Sequence, residues 1–140
     1  MEYLSHNPSE TEAIGAQLAK QLKPGDFVAM YGDLGAGKTA FARGVASVLV
    51  PHAQIQSPTY TMIAEYRAGT LTFCHCDMYR ITSEDDLYSI GFFDNPDAIF
   101  LVEWCEKIPY AIPPAHYQVT ITKHPNQPDL RTITILPPSA

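Results

Sequence analysis

Residues 27–41 read FVAMYGDLGAGKTAF, and this stretch decides the fold. Phe27–Tyr31 is a short, nearly continuous apolar run, which predicts a strand buried on both faces. GDLGAGKT, 32–39, matches G-x-x-x-x-G-K-[ST] without deviation. Phe41, Val45, Val48 and Leu49 then recur at helical spacing until Pro51 stops them. A buried strand, a glycine-rich loop and a helix are the setting in which this motif holds phosphate.

The chemistry follows from the residue types. The loop through Asp33, Gly35, Ala36 and Gly37 can wrap backbone N–H groups round a phosphate without a Cβ in the way. The start of the following helix adds its partial positive charge. Lys38 reaches β- and γ-phosphates, and the Thr39 hydroxyl suits Mg²⁺. Ala40 has no hydroxyl, so any α-phosphate contact there comes from backbone. Such a loop needs an acidic partner at the end of a neighbouring strand. Ala98–Trp104, AIFLVEW, is a second continuous apolar run and carries Glu103 in that place. Guanine-specific loops carry N/T-K-x-D; the nearest stretch, TKHP at 122–125, lacks the Asp, so ATP is expected rather than GTP.

Working outward, Ser9 and Glu12 read as a capping box, with Ile14, Leu18 and Leu22 as the apolar stripe of a helix closed by KPGD. TMIAEY and LTFCHCD flank RAGT, which predicts a hairpin turning at Gly69. Ser83 and Asp86 mark a further helix start, with Leu87 and Ile90 on its apolar face. HYQVTIT and LRTITIL alternate apolar and polar residues, as an antiparallel pair with one exposed face does. The expected class is α/β: a P-loop NTPase-like mixed sheet with flanking helices and a C-terminal antiparallel hairpin. With 140 residues, one domain spanning 1–140 is expected.

Phe73–Arg80, FCHCDMYR, places Cys74, His75, Cys76 and Asp77 in succession. On a strand, side chains alternate, so His75 and Asp77 share a face and both cysteines take the other. A regular strand cannot turn all four toward one tetrahedral ion, and no second half with metal spacing occurs, so zinc is not expected. The cysteines read as small buried apolar residues, and Asp77 as orienting water or the metal shell. Arg43, Arg67 and Arg80 are the candidates for an arginine acting on phosphate, Arg80 first by its motif.

Bulk properties narrow the class. The net charge of −6 opposes a broad nucleic-acid-binding face, so any RNA in its biology is expected on a partner. No apolar run approaches the ~18 residues of a membrane span, and the N-terminus lacks a secretory pattern. Three cysteines without such a pattern point to the cytoplasm.

GDLGAGKT, SPTY (57–60), HCDMYR and LVEW, in that order, together with TEAIG (11–15), resemble the TsaE (YjeE) family. These are small bacterial P-loop ATPases of tRNA threonylcarbamoyladenosine biosynthesis. The resemblance spans residues from about 9 to 110, with Ala40 and Met78 departing from commoner family residues. It implies that Gly35–Thr39 hold phosphates and that Thr39 and Glu103 bind Mg²⁺. It implies a switch-like loop of Ser57, Pro58, Thr59 and Tyr60, and a catalytic or water-orienting Asp77. Trp104 is implied near the nucleotide and Thr11 near the adenine end. The implied partners are TsaD and TsaB, with tRNA engaged through their complex, and ATP hydrolysis that is slow alone. A small-molecule kinase and a nucleotide-gated interaction module without significant hydrolysis share the P-loop and stay open.

Overall fold

The structure, a computed structural model, describes residues 1–33 and 35–138. Leu34 of the glycine-rich loop and the last two residues of the LPPSA tail lie outside the described residues. Among these the strands are β1 (Glu2–Ser5), β2 (Phe27–Gly32), β3 (Ile63–Ala68), β4 (Leu71–Asp77), β5 (Ile99–Glu103), β6 (Tyr117–His124) and β7 (Gln127–Leu136). The helices are α1 (Pro8–Ala19), α2 (Lys38–Leu49) and the short α3 (Glu84–Ser89).

The strands form one mixed sheet in the order β1-β7-β6-β2-β5-β4-β3. β2 lies between β5 and β6, parallel to both, and β4 is parallel to β5. The hairpins β3–β4 and β6–β7 are antiparallel and give the sheet its mixed character. The expected α/β class, the two buried central strands and the C-terminal hairpin all stand. The N-terminal strand β1, paired antiparallel with β7, is an addition that the sequence reading lacked.

Alternation along β2 explains its unbroken apolar run. Val28 and Met30 join the core under α1 and α2, while Phe27 and Ala29 join the core on the opposite face. Each fully buried side chain of this size contributes roughly 1.5–3 kcal/mol. On the α1–α2 face, Phe41, Ala42 and Val45 meet Phe73, Ile99 and Leu101. The other face is closed by Leu87 of α3 with Phe92 and Ile108.

The two long helices touch backbone to backbone. A Cβ on Gly15 would run into the Phe41 carbonyl oxygen, and one on Gly44 into that of Glu12. This close crossing sets the start of α1 beside the start of α2, and so beside the glycine-rich loop.

The start of α1 differs from expectation, whereas α3 starts where expected, after Ser83. α1 begins at Pro8, and Asn7, not Ser9, is its cap: Asn7 Oδ1 accepts from the Glu10 N–H at 2.9 Å. Glu10, not Glu12, reaches back, accepting from the His6 N–H at 2.8 Å. Proline at the first helical position, with Asn before it, explains the shift. Ser83 holds the cap position of α3 but makes no side-chain cap bond; Asp86 accepts from the Thr82 N–H and hydroxyl instead.

Candidate functional site

β2, β4 and β5 run parallel and end at one edge of the sheet, where loops of an open α/β sheet collect ligands. The glycine-rich loop leaves β2 there. Register puts Met30 opposite Glu103 and Asp77 opposite Glu103, so the two carboxylates end neighbouring strands. The sheet thus brings Lys38, Asp77 and Glu103 together from three separate parts of the chain.

Lys38 opens α2 and is buried. Its Nζ donates to the Gly32 carbonyl at 2.9 Å, stands 3.9 Å from Glu103 Oε1, and lies 5.2 Å from the centre of the Trp104 ring. Trp104 follows Glu103 in a left-handed conformation, φ 61°, strain of about 1–3 kcal/mol that turns the indole over the lysine. Gly37, at φ 109°, lets the loop enter α2 where a side chain would be strained.

The other oxygen of Glu103 meets His75, Nε2 to Oε2 at 2.7 Å, with the ring 1% exposed. His75 Nδ1 has no hydrogen-bond partner among the described residues. A neutral ring with its proton on Nε2 satisfies both facts at least cost, since an unpaired buried N–H is more expensive than an unpaired lone pair. Sequence reasoning put His75 beside the site but missed this bond. The signal was the alternation that sends it to the same face as Asp77, and the β4–β5 register that completes it is tertiary.

Asp77 Oδ1 accepts from the Tyr79 N–H at 3.0 Å, and its second oxygen makes no hydrogen bond among the described residues. Partial burial raises its pKa above the ordinary carboxylate value, the Tyr79 N–H opposing. Thr59, Asp77, Tyr79, Arg80 and Trp104 line one cavity of about 530 Å³, so three of the sequence motifs face a common space. Tyr79 and Trp104 pack there with ring centres 4.9 Å apart.

The 57–60 segment forms a tight turn. Ser57 and Thr59 hydroxyls are 2.7 Å apart, and Tyr60 is 82% exposed. Met62, at φ 68°, donates its N–H to the Pro58 carbonyl and accepts at its own carbonyl from the Asp77 N–H. Arg80 stacks over Tyr60, its Cζ 5.1 Å from the ring centre.

Thr11 is buried and reaches the loop from α1, its methyl 3.8 Å from where a Cβ on Gly37 would stand. Its hydroxyl is shared with Ser5 at 2.7 Å. With Asn7, Gly35–Gly37, Ala40 and Arg131 it lines a smaller cavity of about 160 Å³. The sequence reading passed over Arg131. Arg67 pairs with Glu65 on the edge strand and Arg43 lines a groove with Val50 and Ile55, whereas Arg131 of β7 contacts the glycine-rich loop.

Thr39 is exposed in the first turn of α2. Its hydroxyl and a Glu103 oxygen are hard oxygen donors of the kind Mg²⁺ takes. Among the described residues there is no cluster of three or more His, Cys, Asp or Glu that could hold a metal. No helix there is long and apolar enough to cross a membrane. Cys74, Cys76 and Cys105 are free and buried.

Comparison with known proteins gives the family. A family model described as "Threonylcarbamoyl adenosine biosynthesis protein TsaE" matches residues 5–133. A tRNA threonylcarbamoyladenosine biosynthesis protein TsaE of Bacillus subtilis is 37% identical over 123 residues, 88% of this chain and 78% of the relative. The protein of that name from Treponema pallidum is 34% identical over 137 residues, 96% of this chain and 99% of the relative. The one from Synechocystis is 38% identical over 114 residues, 78% of this chain and 73% of the relative. The crystal structure of Bacillus subtilis YdiB superposes with a TM-score of 0.79 at 35% identity, covering 99% of this chain and 86% of that one. By sequence over most of its length, and by fold, this chain belongs to the TsaE family.

Proposed function

We propose that this chain is a Mg²⁺-dependent ATPase that supports threonylcarbamoyl modification of tRNA adenosine, acting with TsaB and TsaD in the cytoplasm. The observation that carries the reading is the convergence of Lys38, Asp77 and Glu103 beside the glycine-rich loop at one sheet edge. The names of the relatives supply the biological setting.

In this reading the backbone of Asp33 and of Gly35–Ala40 cradles the phosphates, and Lys38 swings from the Gly32 carbonyl to the β- and γ-oxygens. Thr39 and Glu103 would hold Mg²⁺, which neutralises charge on the phosphate oxygens. His75 fixes one Glu103 oxygen, leaving the other for the ion. Asp77 accepts a hydrogen bond from the attacking water with its uncommitted oxygen. Burial, by raising its proton affinity, favours that acceptor role. Trp104 and Tyr79 shield the lysine and the carboxylate from bulk water, which strengthens both as charges. Thr11 and the cavity beside it would receive the nucleoside end.

No arginine stands ready for the transferring phosphoryl group: Arg80 is held over Tyr60, and Arg131 is committed to loop carbonyls. Turnover by the isolated chain is therefore slow, and a partner that rearranges 57–60 accelerates it. The test is phosphate release from ATP by the chain alone and with TsaB, TsaD and tRNA, each with and without Mg²⁺. Acceleration in the Mg²⁺-containing mixture is expected. Equal rates with and without partners would refute partner dependence, and no release in any arm would refute the ATPase.

A further inference from the structure

Arg131 sits 95 residues from Ala36 in sequence, yet its Nε donates to the Ala36 carbonyl at 3.0 Å and its Nη2 to the Gly35 carbonyl at 3.3 Å. The same guanidinium is pinned from behind, Nη1 donating to Pro128 at 2.6 Å and Leu130 at 3.0 Å. Lys123, its register partner on β6, rests on the same spot, with Nζ 3.5 Å from where a Cβ on Gly35 would stand. The end of the β6–β7 hairpin is thus seated against the glycine-rich loop, at the rim of the smaller cavity.

We infer that Arg131 is a positioning residue for phosphate binding, holding the outward carbonyls of the loop so that its amides face inward. In a planar trans peptide the C=O and the following N–H point in opposite directions. Fixing the Gly35 and Ala36 carbonyls on the guanidinium therefore aims the Ala36 and Gly37 N–H groups to the other side. The Ala36 N–H then closes the loop on the Asp33 carbonyl at 3.0 Å, which in this reading leaves the Gly37 N–H for the anion. Gly35 and Gly37, on either side of Ala36, both have positive φ, so the segment has little conformational preference of its own. A rigid, planar fork anchored on a strand supplies the missing restraint, and an ammonium cannot reproduce two parallel donors.

The inference rests on the nucleotide reading above, and one arm of its test does not. In the full chain, Arg131→Gln and Arg131→Lys are compared with the parent for ADP dissociation constant, urea midpoint without nucleotide, and amide exchange at Ala36 and Gly37 without nucleotide. Arg131→Gln is expected to bind ADP about tenfold more weakly, to keep the urea midpoint, and to exchange both amides faster. Arg131→Lys is expected to recover less than half of the lost affinity. Parent-like affinity in Arg131→Gln, or full recovery in Arg131→Lys, would overturn the inference. If the parent itself does not bind ADP, the proposed function fails. The exchange arm still decides here: faster exchange upholds the restraint, and unchanged exchange ends it.

Discussion

The two faces of β4 differ in kind. On one face Phe73 is core, His75 is buried but bonded to Glu103, and Asp77 opens on the large cavity, so polarity rises stepwise toward the strand end. On the other, Cys74, Cys76 and Met78 are buried among Ile81, Leu87 and Phe100. Burial pushes the Cys74 thiol up to about 11 and holds Cys76 well above its ordinary value; Cys105, nearby, is pushed up to about 12. Loss of water raises the proton affinity of the thiols on one face and of Asp77 on the other, but only the polar face supplies charged groups nearby. Partners make the difference: Glu103 has a lysine and a histidine, whereas the thiols meet mostly carbon.

The largest expected effect lies on the polar face. Lys38→Ala should lower Mg²⁺-dependent phosphate release by about 10²–10³-fold, measured in the full partner mixture. Parent-like turnover would remove the polar face from the chemistry.

Asp77→Asn should lower turnover by about 10²-fold yet raise stability at neutral pH. The sign follows from the raised pKa: the folded state binds the proton more tightly than the unfolded, so stability falls as pH rises from the ordinary carboxylate value through the folded one. Asn can still accept from Tyr79 without that penalty. Thermal midpoints of the two proteins should differ above this window and converge below it. A variant less stable at every pH would make Asp77 structural.

A third test concerns the helical layer that covers the polar face. Gly44→Ala should cost roughly 1–3 kcal/mol or more in urea unfolding, because the methyl meets backbone that cannot rotate away. Loss of less than about half a kcal/mol would mean the helices slide apart freely. The smallest effect is on the apolar face: Cys76→Ala should leave turnover within about twofold, at a cost near 1 kcal/mol. Alkylation of the native thiols at pH 8 should track unfolding, and rapid labelling would contradict their burial.

Much of this was legible because it is local. Val28 to Met30 announced a doubly buried strand, GDLGAGKT its loop, and the alternation of His75 and Cys76 the two faces of β4. What failed was competition between neighbours or distance along the chain. Ser9 and Asn7 both cap well, and Pro8, which fixes the first helical residue, decided for Asn7. The His75–Glu103 bond needs the register of two strands, 28 residues apart in sequence. Arg131 reached the loop only because β6 pairs with β2 and carries β7 with it; no periodicity encodes that neighbour.

Met62 has a mechanical consequence. It grips Pro58 with its amide and the amide of Asp77 with its carbonyl, in a backbone conformation that few residues adopt. The turn that displays Tyr60 and the strand end that aims Asp77 are therefore joined by a single residue, as two levers on one pin. A change of backbone at Met62 would therefore be felt both at the turn that carries Tyr60 and at the amide of Asp77.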